Sequence, residues 1–293
     1  MSNSSKTVNE LKSRLRNTVK VISHDIGTRS YLETVNLNKT VEFIEAEIAK
    51  NSRPFQKQAF TVDGQIYHNI FTEIKGSKKP DEVFVIGAHY DTVPDTPGAD
   101  DNASGIAGII ELSRLFADSP ASFTISLAAF CLEEPPFFRS DLMGSYLFAK
   151  HLRKFNTNVI GMISLEMIGY FSSKDGSQYY PLPFMRFIYP RTGNYAAFVG
   201  NIRSRPLTKQ FEHIFKEVST FPVESLNAVS FVPGVDFSDH LSFWRFNYPA
   251  FMITDTAFYR NPHYHSPGDT YDTLDYEKMA ELVLGIFNTV RDM

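Results

Sequence analysis

The feature that most constrains this 293-residue chain is a set of short apolar runs that end on acidic or imidazole side chains. The run from Phe123 to Cys131, for example, is followed by Leu132 and then directly by Glu133-Glu134. Runs of this length are typical of buried strands at the centre of a sheet. Four runs have this character: 82–89, which ends on His89; 123–131; 159–165, which precedes Glu166; and 248–253, which precedes His263-Tyr-His265.

Predicted helices separate these predicted strands. The helices lie at 7–22, 36–51, 103–117, 143–154 and 276–290, and two further strand-like stretches lie at 56–62 and 66–74. Strands that alternate with helices predict an α/β fold of three layers, in which a mixed, mostly parallel central sheet is flanked by helices. Because no repeat or flexible linker interrupts the pattern, we expect a single domain over 1–293, with the helices of 1–52 packed on it.

Segment 171–205 breaks this rhythm. It is rich in Tyr, Phe, Pro and Gly, and we predict that it forms a long ordered loop. Long loops are uncommon in compact domains unless they have a function, so the segment is a candidate pocket wall or lid. The alternative is a surface insertion that packs on its own aromatic side chains.

Composition excludes several classes of protein. The chain has 29 basic and 33 acidic residues, so it shows no basic footprint for nucleic acid or for an anionic membrane. No apolar run approaches the roughly 20 residues that a membrane span needs. The single cysteine, Cys131, excludes an internal disulfide framework and a cysteine-based metal site. The N-terminus lacks an apolar signal region, so the default expectation is cytoplasmic, with secretion or a periplasmic location left open.

The acidic and imidazole groups are expected to converge, because ligands of open α/β sheets bind beyond the carboxyl ends of the strands. Taken alone, each piece has a plain structural explanation: a hydrogen-bonded His-x-Asp pair, a solvated Glu-Glu face, or turn chemistry at Asp100-Asp101. Their joint placement argues against those explanations, since solvated charges are unexpected directly after the apolar run that ends at Leu132. Carboxylates that converge repel one another and need a cation to stay ionised together. The pattern therefore predicts a metal site built from His and carboxylates.

Six segments carry a resemblance to a known family. They are Gly87-Ala-His-Tyr-Asp-Thr92, Gly98-Ala-Asp-Asp-Asn-Ala-Ser-Gly105, Glu133-Glu134 with Met143-Gly-Ser145, Leu165-Glu-Met167, Ser238-Asp-His240 and His265-Ser-Pro-Gly-Asp-Thr270. In this order they resemble the motifs of the bacterial co-catalytic zinc aminopeptidases, relatives of glutamate carboxypeptidase II and of glutaminyl cyclase. The resemblance implies the zinc-peptidase fold, two Zn²⁺ ions per chain and hydrolysis by a water shared between them.

The resemblance also implies a role for each matching residue. His89 and Glu166 would hold one zinc, Glu134 and His265 the other, and Asp101 would bridge both. Glu133 matches the position of the general base, which takes a proton from water and passes it to the leaving amine. Asp91 would orient His89, while Asp239 and His240 would support the site or contact substrate. A structural role remains the alternative for His240, and His263 remains a competitor of His265.

Two departures from the family pattern concern the neighbourhood of the metals. Many family members have Asp where this chain has Glu166, and segment 135–142 is longer than in simple aminopeptidases. The candidate pocket residues are Met167, Tyr170, Phe258 and Tyr259, together with the aromatics of 179–189. Because these side chains are mostly apolar, we expect a broad preference for large neutral N-terminal residues.

The leading hypothesis is a zinc-dependent exopeptidase, an aminopeptidase acting on peptides with a free N-terminus. One alternative is a glutaminyl-peptide cyclase, although the paired acids Asp100-Asp101, which such enzymes typically lack, are present. A second alternative is a catalytically inactive, peptidase-like binding module, which the presence of Glu133 and of all five ligand types disfavours. No oligomeric state is predicted.

Overall fold

Eight strands form one mixed sheet within the part of the chain that this computed structural model describes, residues 3–51 and 54–293. The strands are β1 (Phe55–Val62), β2 (Gln65–Ile74), β3 (Lys79–His89), β4 (Phe123–Phe130), β5 (Asn158–Glu166), β6 (Ala196–Asn201), β7 (Val223–Ala228) and β8 (Ala250–Thr254). The helices are α1 (Asn3–Lys20), α2 (Thr34–Ala49), α3 (Gly105–Asp118), α4 (Gly144–Lys154), α5 (Arg205–Val218), α6 (His240–Trp244) and α7 (Tyr276–Asp292).

The order of the strands places the four predicted central strands side by side. The sheet runs β1-β2-β4-β3-β5-β8-β6-β7. Strands β4, β3, β5 and β8 are mutually parallel, whereas β1 with β2, β2 with β4, and β6 with β8 pair antiparallel. The carboxyl ends of the four central strands therefore meet at one edge of the sheet, where the candidate site residues follow them.

Alternate side chains of the central strands supply two separate cores. Along β3, Phe84 and Ile86 belong to the large cluster that also contains buried residues of α1, α3 and α7. Val83 and Val85 instead belong to a smaller cluster that contains Phe148 of α4. A sheet whose faces are both covered in this way needs apolar residues at successive positions, which explains the uninterrupted apolar runs in the sequence. The predicted three-layer α/β fold is confirmed.

The structure corrects the prediction for segment 171–205 and fills a stretch that the sequence left unassigned. Residues 196–201 are not loop but strand β6, and β6 pairs with both β8 and β7. Beyond it, α5, β7 and α6 lie in 205–244, where no element was predicted. Strand β6 is short and follows residues rich in Pro and Gly, so local pattern favoured a loop, and only pairing with its neighbours makes it a strand. None of the helices within the described residues is long and apolar enough to cross a membrane.

Substitution of Phe198 tests how much the packing of β6 contributes to the stability of the fold. The Phe198 ring is fully buried and lies 5.3 Å, 5.4 Å and 5.9 Å between centroids from Phe211, Phe215 and Phe251. We expect Phe198→Ala to lower the free energy of unfolding by about 3–5 kcal/mol, because the cavity it leaves cannot collapse fully. Chemical denaturation followed by circular dichroism measures this change.

The matched control is Phe155→Ala, since the side chain of Phe155 is 63% exposed. This change should lower the free energy of unfolding by no more than about 0.5 kcal/mol. Equal losses for the two variants would contradict the packing described for β6.

Candidate metal centre

Five side chains converge at the carboxyl edge of the central strands. His89 and Glu166 are the last residues of β3 and β5, and Glu134 follows β4. His265 follows β8, and Asp101 lies in the turn before α3. All except His265 are buried, and the side chain of His265 is 29% exposed. The cluster therefore lies beneath the surface and has one partly open side.

Asp101 divides the cluster into two halves. Its Oδ1 atom lies 3.3 Å from Nε2 of His89, which in turn lies 3.4 Å from Oε2 of Glu166. Its Oδ2 atom lies 3.2 Å from Nε2 of His265, which lies 3.3 Å from Oε1 of Glu134. Each oxygen of one carboxylate thus faces a different His and Glu pair.

These two groups fit zinc by donor type and by spacing. Zinc binds imidazole nitrogen and carboxylate oxygen at about 2.0–2.2 Å, so that tetrahedral donors lie roughly 3.3–3.5 Å from one another. The distances from Asp101 to the two histidines, 3.3 Å and 3.2 Å, come close to this spacing. In addition, Nε2 of His89 and Oδ1 of Asp101 are buried and have no hydrogen-bond partner within the described residues. Buried polar atoms are rarely left unpaired, so these two atoms point to a ligand between them.

The electrostatics of the cluster point in the same direction. Burial, and then the neighbouring Asp101 carboxylate, raise the pKa of Glu134 to about 7. Burial likewise raises the pKa of Glu166. Burial opposes protonation of His265, but hydrogen bonds with Asp101 and Glu134 outweigh it and raise the pKa to about 10. The cluster by itself therefore holds protons that a divalent cation would displace.

Asp91 positions three of the site residues from below. Its Oδ1 and Oδ2 atoms accept hydrogen bonds from the backbone N–H groups of Glu133 and Glu134, at 3.2 Å and 3.1 Å. The same Oδ1 atom lies 3.6 Å from Nδ1 of His89. Leu132, just before the two acids, adopts a left-handed backbone with φ of 62°. This strained turn aims both glutamates at the cluster, and Asp91 holds it in place.

Asp269 and Arg29 hold the turn that carries Asp101, and sequence analysis assigned no role to either residue. Asp269 accepts hydrogen bonds from the backbone N–H groups of Asp100 and Asp101, at 2.9 Å and 3.0 Å. Arg29 is fully buried and donates to the backbone carbonyls of Tyr90, Pro97 and Gly98. Asp269 lies within the motif 265–270 that resembles the aminopeptidase family, and this position could have indicated a role at the site. An isolated arginine between two predicted helices offered none.

The motif Ser238-Asp-His240 contacts the site through its serine. Ser238 donates a 2.8 Å hydrogen bond to Oε2 of Glu166. Asp239 is fully buried, and burial raises its pKa to about 7, although His89 partly offsets the rise. Burial lowers the pKa of His240 to about 4, and its Nε2 atom lies 2.9 Å from the carbonyl of Val235. A neutral imidazole in that position fits the structural alternative for His240.

An open cavity lies beside Glu166. Phe258 and Tyr259 lie in its wall, as does Tyr264, whose ring stacks on that of His265 at 3.8 Å. The aromatics of 179–189 form another part of the wall, which fits the pocket-wall hypothesis for this segment: Tyr179, Tyr180 and Tyr189.

Two of the candidate pocket residues lie elsewhere. Met167 is fully buried and does not line the cavity. Tyr170 is also absent from the wall, and its ring packs edge-on against His263 at 6.4 Å. The left-handed backbone of Met167, with φ of 49°, turns the chain under the sheet edge, which local sequence does not reveal.

Comparison with known proteins adds to this geometry. The family model described as "Peptidase family M28" matches residues 69–290, more than half of the chain. A protein of Escherichia coli (strain K12), YfbL, is 42% identical over 281 residues, which cover 93% of this chain and 85% of that protein. A "Probable zinc metalloprotease" of Pyrenophora tritici-repentis is 35% identical over 116 residues, which cover 37% of this chain and only 26% of the fungal protein.

Solved structures show the same fold at low sequence identity. A zinc aminopeptidase from Bacillus subtilis is 14% identical with a TM-score of 0.77, covering 96% of this chain and 94% of that one. A glutaminyl cyclase from Bacteroides thetaiotaomicron is 17% identical with a TM-score of 0.71, covering 96% and 98%. The same fold therefore occurs in a zinc aminopeptidase and in a glutaminyl cyclase.

The raised pKa values of His265 and Glu134 predict how zinc binding depends on pH. Because His265 titrates near pH 10 and Glu134 near pH 7 without metal, both hold protons at pH 6 that zinc must displace. We expect the apparent zinc affinity to fall by about tenfold or more from pH 8 to pH 6. Calorimetric titration of metal-free protein in two buffers of different ionisation enthalpy measures both affinity and released protons. An affinity that is equal at the two pH values would contradict this account.

Proposed function

This chain belongs to peptidase family M28, and from that premise we propose that it is a zinc-dependent aminopeptidase. The substrate would be a peptide with a free N-terminus, from which the first residue is removed. The observation that carries the proposal is the position of Asp101, whose two oxygens face two different His and Glu pairs. An aromatic cavity beside one of these pairs provides space for a large side chain.

We propose that the chain binds two zinc ions, as the two halves of the cluster suggest. His89, Asp101 and Glu166 would hold one ion, and Asp101, Glu134 and His265 the other. When bound, two neighbouring zinc ions lower the pKa of a water molecule and polarise a carbonyl group. The chain's own residues keep the two donor groups fixed at the end of a rigid sheet, which limits the rearrangement that catalysis requires.

Glu133 is the residue best placed for proton transfer. Its Oε2 atom lies 4.0 Å from Nε2 of His89, beyond the spacing of the other donor atoms. Burial raises its pKa well above the usual range, although His89 partly offsets this. A buried carboxylate beside the cluster, not needed as a ligand, is suited to accept a proton from water and to pass it to a leaving amine. The competing assignment is a ligand, since Glu133 also groups with His89 and Glu134.

Two substitutions separate these roles. We expect zinc-loaded wild type to contain two zinc ions per chain and Glu134→Gln to lose one, because only one donor group contains Glu134 and His265 together. Glu133→Gln should keep its zinc while kcat falls by about 10²–10⁴-fold. Elemental analysis after dialysis, together with steady-state kinetics, measures both quantities.

Glu217→Gln serves as the control, because Glu217 is an exposed acid of α5 that neither lines the cavity nor belongs to the cluster. It should change neither zinc content nor kcat. A wild type that holds at most one zinc, or two glutamate variants that lose zinc equally, would contradict the assignment.

The free N-terminus is tested with paired substrates. We expect leucyl and phenylalanyl anilides to be cleaved and their N-acetyl derivatives to be resistant, because the α-amine has to approach the acidic cluster. An N-terminal glutaminyl peptide in the same panel detects cyclase activity by loss of ammonia. Faster cleavage of acetylated substrates, or cyclisation without hydrolysis, would overturn the aminopeptidase proposal, and inactivity towards every substrate would favour a binding module.

A further inference from the structure

The floor of the cavity is one row of residues across four strands. Glu166 of β5 pairs with Thr254 of β8, Thr254 with Ala197 of β6, and Ala197 with Glu224 of β7. All four residues line the cavity. A metal-centre glutamate therefore lies at one end of the row, and a second glutamate, outside the metal centre, lies at the other.

The middle of the row is a trough. Thr254 and Ala197 are small, so they leave space between the two glutamates. Adjacent strands are about 4.8 Å apart, which separates the backbones of Glu166 and Glu224 by roughly 14 Å. The next row along the strands is apolar, and its cavity-lining members are Met252, Val199 and Leu226. The trough is thus shaped for an extended aliphatic chain that starts near the metal centre.

The carboxylate of Glu224 has no partner at the far end of this trough. It makes no hydrogen bond and no close ion pair with the residues that the structure describes; burial raises its pKa, and Lys216 and Lys209 partly offset this rise from a longer distance. Lys209 and Lys216, on neighbouring α5, are both bound to Glu212. Among the described residues that line the cavity there is no Lys, Arg or His, and Glu166 and Glu224 are the charged members.

Three tyrosines surround this end of the cavity without neutralising the carboxylate. Tyr180, Tyr189 and Tyr195 all line the cavity. The Tyr180 hydroxyl lies 2.9 Å from that of Tyr195, and Tyr189 donates to the carbonyl of Ser225 at 3.3 Å. Aromatic rings attract a cation that passes over their faces. The far end therefore combines a carboxylate that has no hydrogen-bond partner with an aromatic wall, in which Tyr180 stacks on Tyr189 at 5.9 Å and the ring of Tyr195 already contacts the Arg260 guanidinium at 4.8 Å.

We propose that this cavity receives the first side chain of the peptide and that Glu224 selects a long basic residue, lysine or arginine. The proposal rests on the aminopeptidase function proposed above. The aliphatic stem of such a side chain would lie along Thr254, Ala197 and the apolar second row, and its charged end would reach Glu224. A charge-assisted hydrogen bond there would satisfy a half-buried carboxylate that otherwise has no partner.

This inference changes the specificity expected from the sequence. The expected preference for large neutral residues was based on apolar and aromatic side chains near the motifs. Glu224 lies in β7, in a stretch where no strand was predicted, and its place in the cavity depends on the pairing of β7 with β6. A neutral side chain of similar length would fill the trough but leave Glu224 without a partner.

Substrates that differ only in the terminal charge test the proposal. We expect zinc-loaded wild type to cleave lysyl and arginyl anilides with kcat/KM about tenfold or more above that of norleucyl anilide, which matches lysine without its ammonium group. Glu224→Gln should remove this advantage by lowering kcat/KM for the lysyl and arginyl anilides. Glu217→Gln, the exposed α5 control, should preserve the advantage.

A binding measurement separates this proposal from the proposed function. We expect L-lysinol, which has no bond to cleave, to bind zinc-loaded wild type about tenfold more tightly than L-norleucinol in calorimetry, and Glu224→Gln to abolish the difference. If no anilide is cleaved but this difference is found, the aminopeptidase proposal fails and the basic pocket stands. Norleucyl substrate preferred over lysyl, a Glu224→Gln variant with unchanged selectivity, or no difference between the two amino alcohols would overturn the basic pocket.

Discussion

The sharing of one buried carboxylate between two His and Glu pairs is the constraint on which the rest of this structure depends. Asp101 lies within 3.3 Å of the Nε2 atoms of both His89, the last residue of β3, and His265, which follows β8. A shift of about one ångström in the turn that carries Asp101 would move its oxygens out of the donor spacing with both imidazoles. The surrounding contacts, from Asp269 to the backbone of the turn and from Arg29 to the carbonyls before it, hold that turn in place.

A second constraint is the cost of bringing so many acidic groups together. Burial raises the pKa of Glu133, Glu134 and Glu166, which means that the folded chain disfavours their ionised forms when no cation is present. Rigid elements hold the acidic groups together despite this cost, because the acids lie at or after the ends of central strands that are packed on both faces. Left-handed backbone at Leu132, Met167 and His265 turns the chain sharply at the same edge. Strain of this kind persists only where the surrounding packing enforces it.

The sheet positions two neighbouring regions, the His and carboxylate cluster at the strand ends and the cavity beside it. Strands β4, β3, β5 and β8 lead to the proposed metal ligands, whereas β6 and β7 extend the sheet beyond β8 and complete the cavity floor. Strand β6 pairs antiparallel with β8, and this pairing places two small residues, Thr254 and Ala197, in one row beside Glu166. Substitutions in β7 would therefore change the cavity without any change in the proposed metal ligands, which is the general pattern of sites built on a common fold.

The sequence alone determined the features that are local. Apolar runs predicted the central strands, the polar residues after each run predicted a cluster at one sheet edge, and the motif order predicted the family that the comparison confirms. Only the tertiary structure decided that β6 belongs to the sheet, that Met167 lies outside the cavity wall, and that Arg29 and Glu224 belong beside the site. The physical reason is that strand pairing, register and burial join residues far apart in the chain, and no periodicity within a single segment records those contacts.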